Sequence, residues 1–493
     1  MSDQNRVLIP GETCWRIERA NRYALIIDAA DYFRFVKEAM LKAQSTIMLI
    51  GWDFDTRIKF EPEAQTLPGP NRLGRFLTWL PKQRPGLRIH LLKWDLGMVQ
   101  ALGRGMTPLF ILDLVTNKRL QLKLDAAHPA GAAHHQKIIV IDDSLAFCGG
   151  IDMTVDRWDT REHRDADPRR TKPSGRAYPP WHDATAAVDG DAARAIGDLA
   201  RERWRLASNE QLQPIPNPPV IWPDDLEPTF EQVDVAIART LPEMGERQEV
   251  REIESLYSAA FARARKTIYI ESQYLASRKL AEALAHRLDE PDGPEILIVL
   301  PAEADGWLEQ KAMDGARRKL LQLLWRADRH KRFGVYYPVT QAGEPIYVHA
   351  KIMIVDDWLL RVGSSNLNNR SMGFDTECDL AVEVTGGAEN EPRMRATIQS
   401  IRRDLVCEHL GLQAREFDPV LEDCSGSLLR ALERLRGRGR TLEPLRPRDV
   451  ADDDSALAEN EFLDPERTPP SLSEQVARGI SGAVARAGLR RRT

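Results

Sequence analysis

The string His-x-Lys-x4-Asp occurs twice in this chain, as His135-Gln136-Lys137 with Asp142 and as His349-Ala350-Lys351 with Asp356, and corresponding residues stand 214 positions apart. The register continues: Gly149 and Gly363 lie fourteen residues past each histidine, and Asp152 and Asn366 lie seventeen past it. A repeat that keeps reactive side chains in step over such a distance restricts the chain to two copies of one architecture. It also points to a single site built from both halves. Two histidines and two lysines brought to one point suit an anion, and a phosphodiester before others.

The elements around the motifs repeat as well. Asp28 to Gln44 has apolar positions at helical spacing and leads into an apolar strand, Thr46–Ile50; Ile253 to Lys266 leads in the same way into Thr267–Ile270. Each half then offers another strand, Leu87–Leu92 or Ile296–Leu300, and a helical stretch before the histidine. Alternation of this kind predicts an α/β fold with duplicated α-β-α layered domains and the active site at the interface of the two halves. We expect the first half over 1–210, a proline-rich linker over 211–225, the second half over 226–412 and a C-terminal extension over 413–493. Arg161–Pro180 is a polar stretch without a counterpart in the second half, and loops of that length often serve as lids or binding loops. In the extension, Leu428–Leu435 reads as a short helix and 451–466 as an acidic, disordered stretch. Leu472, Val476, Ile480 and Val484, with arginines around them, suit a basic amphipathic helix on an anionic membrane, weakened by Gly479 and Gly482.

Composition excludes several classes. A hydrophobic content of 42% and a charged content of 29% fit a globular protein, and no apolar run reaches the length of a membrane span. The first ten residues lack a signal-peptide pattern, so cytoplasmic residence, with peripheral contact to a membrane, is the expectation. A net charge of −5 argues against a protein that coats nucleic acid. Five scattered cysteines read as reduced thiols, and no His/Cys/Asp/Glu set has metal-ligand spacing, so neither metal nor cofactor is expected.

The motif residues sort by chemistry. In His-x-Lys on a strand both side chains share one face. The imidazole can attack or move protons near neutral pH, and the ammonium meets the negative charge that builds on phosphate oxygens. Asn366 can donate an amide hydrogen bond to phosphate. Asp152 stands at its equivalent position and joins Lys137, Lys351 and Asn366 as a candidate phosphate-binding residue, although as an acid it donates only when protonated. Asp142 and Asp356 fit turn-capping structural roles. Asp183 and Glu377 each precede an apolar strand, in equivalent positions, and qualify as acids that orient the histidines. We expect Asp183 to pair with His135 and Glu377 with His349.

These residues resemble the phospholipase D superfamily, and in particular its eukaryotic-type subgroup in a short, bacterial-type form. The resemblance rests on His134-His135-Gln136-Lys137, Gly149-Gly150-Ile151-Asp152 with Arg157-Trp158-Asp159, and Pro180-Trp181-His182-Asp183. Ile268–Tyr274, Tyr347–Lys351, Gly363–Asn366 and Asn369–Ser371 add to it. The resemblance implies metal-free, two-step phosphoryl transfer. His135 would form a phosphohistidine, His349 would serve the leaving and entering alcohols, and Lys137, Lys351 and Asn366 would hold the phosphate. It implies a glycerophospholipid such as phosphatidylcholine at a membrane surface as substrate, water or an alcohol as acceptor, and no nucleic acid as partner. The alternatives are a phosphatidyltransferase similar to cardiolipin synthases and a nuclease of the same superfamily. A membrane-binding module with a dead site is disfavoured by the complete set of reactive residues. Trp158, Trp181, Tyr347 and Trp358 are aromatic candidates for the surroundings of the site.

Overall fold

The computed structural model describes residues 6–95, 110, 117–303, 307–387, 389–446 and 464–465; the side chains of 307–314 are not described. The acidic stretch and the arginine-flanked segment near the C-terminus thus lie almost wholly outside the described residues.

The first half supplies strands β1 (Arg16–Ile27), β2 (Thr46–Gly51), β3 (Arg88–Trp94), β4 (Leu120–Asp125), β5 (Ile138–Ile141), β6 (Leu145–Gly149), β7 (Trp181–His182) and β8 (Ala184–Asp189). The second supplies β9 (Phe230–Leu241), β10 (Val250–Arg251), β11 (Thr267–Glu271), β12 (Glu295–Val299), β13 (Phe333–Val339), β14 (Tyr347–Val348), β15 (Ile352–Val355), β16 (Leu359–Gly363), β17 (Glu377–Glu383) and β18 (Thr441–Pro444). Fifteen of them run in the order β18-β13-β12-β11-β15-β16-β17-β9-β1-β8-β6-β5-β2-β3-β4, with β10 joined to β9. The order reads outward from the antiparallel β1–β9 pair as a near mirror image. The halves are therefore two layered α/β units sharing one continuous sheet. The 214-residue register holds for β1 against β9, β5 against β15 and β6 against β16.

The expected helices and strands are present with ends shifted by a few residues. Ala29–Lys42 and Glu252–Arg263 are helices that precede β2 and β11, and Leu428–Leu435 is a helix. The central strands β5, β6, β11 and β15 are buried along their whole length, as strands of a sheet covered on both faces are. The start of the C-terminal extension is not a free tail. Ala414–Asp423 is a helix closed by a Gln413–Glu416 capping box, and β18 pairs with β13, so these residues complete the second half. No helix among the described residues is long and apolar enough to cross a membrane. All five cysteines are buried and free.

Two features position the site. Asp142 and Asp356 sit at positive φ (51° each) in the turns after β5 and β15. The Asp142 carboxylate accepts the backbone N–H groups of Gln44, Ser45 and Thr46, and Asp356 accepts those of Arg265, Lys266 and Thr267. Each motif aspartate thereby ties the histidine-bearing strand to the first residues of its neighbour. The second feature is the packing of the halves on each other. Strand β16 lies against β6 and β8, and β17 against β6, so that the Cys148 thiol donates to the Cys378 carbonyl across the interface.

Candidate active site

Each histidine is delivered by a short extended segment that pairs with the opposite half. Before β5, Thr376 N–H donates to the Ala133 carbonyl and His135 N–H to the Thr376 carbonyl, 3.0 and 3.1 Å. Before β15, β14 runs parallel to β7, and His349 N–H donates to the His182 carbonyl at 2.8 Å. The residue that follows the contact is an acid in both cases.

The consequence overturns the expected pairing. His135 Nδ1 lies 3.0 Å from both carboxylate oxygens of Glu377, and His349 Nδ1 lies 2.7 Å from Asp183 Oδ2. Each histidine is oriented by the acid of the other half, not its own. Sequence register relates equivalent positions, whereas the interface decides which equivalents touch; the parallel pairings above bring 135 to 377 and 349 to 183. An Nδ1–H donated to a carboxylate fixes the tautomer and leaves Nε2 as the reactive nitrogen.

The acids are built differently. Glu377 is fully enclosed, and the Ser364 and Ser371 hydroxyls donate to its two oxygens. Burial raises its pKa, but His135, Ser364 and Lys137 outweigh that and hold it at about 2. Asp183 is equally buried, and against that burial His349, Lys351 and its bond from the Ala184 N–H hold it at about 2. Both stay ionised at neutral pH. His349 is pushed well below the ordinary imidazole value by burial and by Lys351, with Asp183 opposing, so it rests neutral. Burial brings the Lys351 ammonium down to about 7, with Asp183 opposing and Lys137 adding to the fall.

Lys137 and Lys351 each donate to the carbonyl of their own histidine. Lys137 also meets Asp152 at 3.2 Å, and Asp152 accepts the Trp52 N–H at 3.1 Å. Asp152 is thus engaged with the lysine and a backbone donor. Asn366, its counterpart, is buried beside Ser371, whose hydroxyl accepts the Asn366 N–H at 3.0 Å; the Asn366 Oδ1 has no partner among the described residues. A Cβ at Gly150 would collide with the Asp183 carboxylate, which explains the glycine there.

Of the aromatic candidates, Trp181 and Tyr347 stack at 4.5 Å, and Trp181 lies 5.2 Å from the His349 ring. Gln273 holds the Tyr347 hydroxyl at 2.9 Å, and the Arg157 guanidinium lies 4.2 Å over Trp181. Trp358 is engaged elsewhere, donating to Asp356. Sequence reasoning missed the serine support of Glu377 and the Arg157–Trp181 contact; both depend on cross-fold packing.

It also missed a cluster behind Asp183. His163 Nε2 lies 3.5 Å from Asp28 and 3.4 Å from Glu408, and His182 Nδ1 lies 3.3 Å from Asp28 and 3.1 Å from Glu408. One ligand atom from each of these four residues lies within 4.8 Å of all the others. Asp28 Oδ2, His163 Nε2, His182 Nδ1 and Glu408 Oε1 are all buried without a hydrogen-bond partner among the described residues. The outer nitrogens are oriented by Asp159 (3.0 Å) and Glu271 (2.9 Å), as ligating histidines require. The four residues offer two imidazole nitrogens and two carboxylates that could hold a divalent cation. The expectation of no metal-ligand set rested on spacing along the chain, and positions 28, 163, 182 and 408 have none. The cluster also explains the unmatched Arg161–Pro180 stretch. It is pinned through His163 and through Arg170 on Asp159, and so is no free lid. Asp28 in turn accepts the Asp183 N–H at 3.0 Å, which joins the cluster to the orienting acid.

Comparison with known proteins agrees with this architecture. Residues 39–224 match the family model "Phospholipase D", and residues 257–393 match "Cardiolipin synthase, PLD-like domain". The chain belongs to the phospholipase D superfamily. It is 26% identical to Phospholipase D A of Dictyostelium discoideum over 79% of this chain and 35% of that protein. It is 25% identical to Phospholipase D alpha 1 of Cynara cardunculus over 78% of this chain and 65% of that protein. It therefore spans between about a third and two thirds of the length of these relatives. Its fold is similar to that of phosphatidylserine synthase from Haemophilus influenzae Rd KW20, with TM-score 0.56, 11% identity, and coverage of 85% of this chain and 94% of that one.

Proposed function

We propose that the chain is a phospholipase D-type phosphodiesterase that hydrolyses glycerophospholipids, phosphatidylcholine among them, to phosphatidic acid and the free head-group alcohol. The observation that carries this is the pair of crossed histidine–carboxylate contacts, which present two imidazoles with fixed tautomers, each followed two residues on by a buried lysine. In the first step the His135 Nε2 lone pair attacks phosphorus, the P–O bond to the head group breaks, and the His349 Nε2 proton passes to the departing oxygen. In the second, His349 takes a proton from water, the new P–O bond forms and the N–P bond of His135 breaks. The greater exposure of the His135 side chain, 16% against 7% for His349, favours it as the attacking group.

His349 rests neutral, so it must gain its proton with substrate. An anionic phosphodiester between the lysines favours protonation of both His349 and Lys351. Binding therefore couples to proton uptake. Incubation with phosphatidylcholine and a little ethanol should yield phosphatidic acid and phosphatidylethanol, with His135→Ala as control. Degradation of plasmid DNA with no lipid product would defeat the lipase reading. The match of the second half to a cardiolipin synthase-type domain favours a second reading, transfer of the phosphatidyl group to a glycerol-type acceptor in place of water. The product ratio with glycerol present separates the two.

A further inference from the structure

A second basic cavity, of about 260 Å³, lies outside the histidine site, between the loop after β2 and the Arg161–Pro180 stretch. Five basic residues and one acid, Asp156, line it, in a chain whose net charge is −5. Three of the bases have carboxylate partners: Arg57 meets Asp55, Arg169 meets Asp167 and Lys172 meets Asp156. Lys59 and Arg72 have no carboxylate partner among the described residues.

The backbone makes that pair unusual. Lys59 and Arg72 face each other across an antiparallel bridge. The flanking bonds are Phe60 N–H to the Asn71 carbonyl and Leu73 N–H to the Ile58 carbonyl. The two residues thus form the narrow, non-hydrogen-bonded kind of pair, with Cα atoms about 4.5 Å apart and side chains on one face. Like charges directly opposite in such a pair destabilise it. The loop is nevertheless fixed, because Glu61 accepts from the buried Lys37 ammonium at 3.1 Å and from Thr66. An anion between Lys59 and Arg72 would remove the repulsion. Phe33, Trp158 and Tyr178 give the cavity an aromatic floor, with Arg169 over Trp158 at 5.1 Å.

We propose that this cavity binds a phosphate monoester, with Lys59 and Arg72 as its principal ligands. A small, doubly charged group fits two unpaired cations set side by side better than a diester or a zwitterion does. The wall of the cavity begins at Thr154, two residues beyond Asp152, so a bound lipid head group would hold the histidine site against an anionic surface. The proposal does not depend on which lipid the histidines process.

The experiment uses the full chain carrying His135→Ala, to prevent turnover, with and without Lys59→Gln/Arg72→Gln. Binding is measured to phosphatidylcholine vesicles containing phosphatidic acid, to vesicles of matched surface charge containing phosphatidylserine, and to inorganic phosphate. The expected result is at least tenfold weaker binding of the phosphatidic acid vesicles by the double variant, with little change on phosphatidylserine. Loss confined to inorganic phosphate supports the same site with a free phosphate monoester as its source. Equal binding by both proteins in every arm overturns the proposal, as does equal loss on both vesicles, which would report charge alone. An unchanged melting temperature, together with unchanged turnover of bis(4-nitrophenyl) phosphate by Lys59→Gln/Arg72→Gln in the otherwise unaltered chain, shows that the fold and the histidine site survive.

Discussion

The two halves share a framework and differ in charge. Around His135, a glutamate held by two serines receives Nδ1, and the neighbouring lysine is partly neutralised by Asp152. Around His349, a shorter acid receives Nδ1, the lysine has no carboxylate within ion-pair distance among the described residues, and an amide replaces the second aspartate. The effect falls on the second pair: burial, with Lys137 adding to it, brings the Lys351 ammonium down to about 7, and burial with Lys351 pushes His349 well below the ordinary imidazole value. Duplication therefore supplies two equivalent positions for each group, and the differences at 152/366 and 183/377 make the surroundings of the two histidines unlike, as the proposed division of duties requires. One imidazole can attack while the other waits for a proton.

The largest effects should come from the histidines. His135→Ala and His349→Ala should each lower lipid turnover by a factor of about 10³ or more, since nucleophile and acid–base loss each cost on that order. They should differ in kind: a rapid quench of His349→Ala should accumulate a phosphohistidine at position 135. Phosphate found at 349 in His135→Ala instead would reverse the duties. Next in size are the acids. Glu377→Gln and Asp183→Asn should cut kcat by roughly 10²–10⁴ with little change in KM, because they misorient an imidazole and touch no substrate.

The metal cluster should matter less for chemistry than for stability. One divalent cation per chain should be measured in the purified protein, and chelation should lower the melting temperature. Retained stability with no metal found would contradict the fit of Asp28, His163, His182 and Glu408.

The pH predictions are the mildest. With Lys351 at about 7, kcat/KM should fall as pH rises above that value, and Lys351→Arg should move the limb upward. Glu377 has its folded pKa depressed, so its ionised form stabilises the fold above the unfolded value of about 4.3. That contribution fades as pH drops from there through about 2, so the stability gap between wild type and Glu377→Gln should narrow in that window.

Much of this was legible in the sequence, for stated reasons. Helices such as Ala29–Lys42 and strands such as β5 and β15 follow from apolar periodicity, which is local. The repeat register identified equivalent residues because duplication preserves spacing. It did not identify partners. From Asp152/Asn366 to Asp183/Glu377 the offset drops from 214 to 194, and the twenty residues Arg161–Pro180 account for the change. That stretch read as a lid because its anchors, Asp28 and Glu408, lie at distant positions in the chain. The crossed contacts were likewise hidden, since the sequence does not say which half a segment crosses into.

Histidine-selective 15N NMR of the Nδ1–H groups tests the crossed arrangement most directly. The account predicts that Glu377→Gln shifts the His135 Nδ1 resonance and leaves His349 in place, while Asp183→Asn does the reverse. A His349 response to Glu377→Gln, with His135 unmoved, would contradict it.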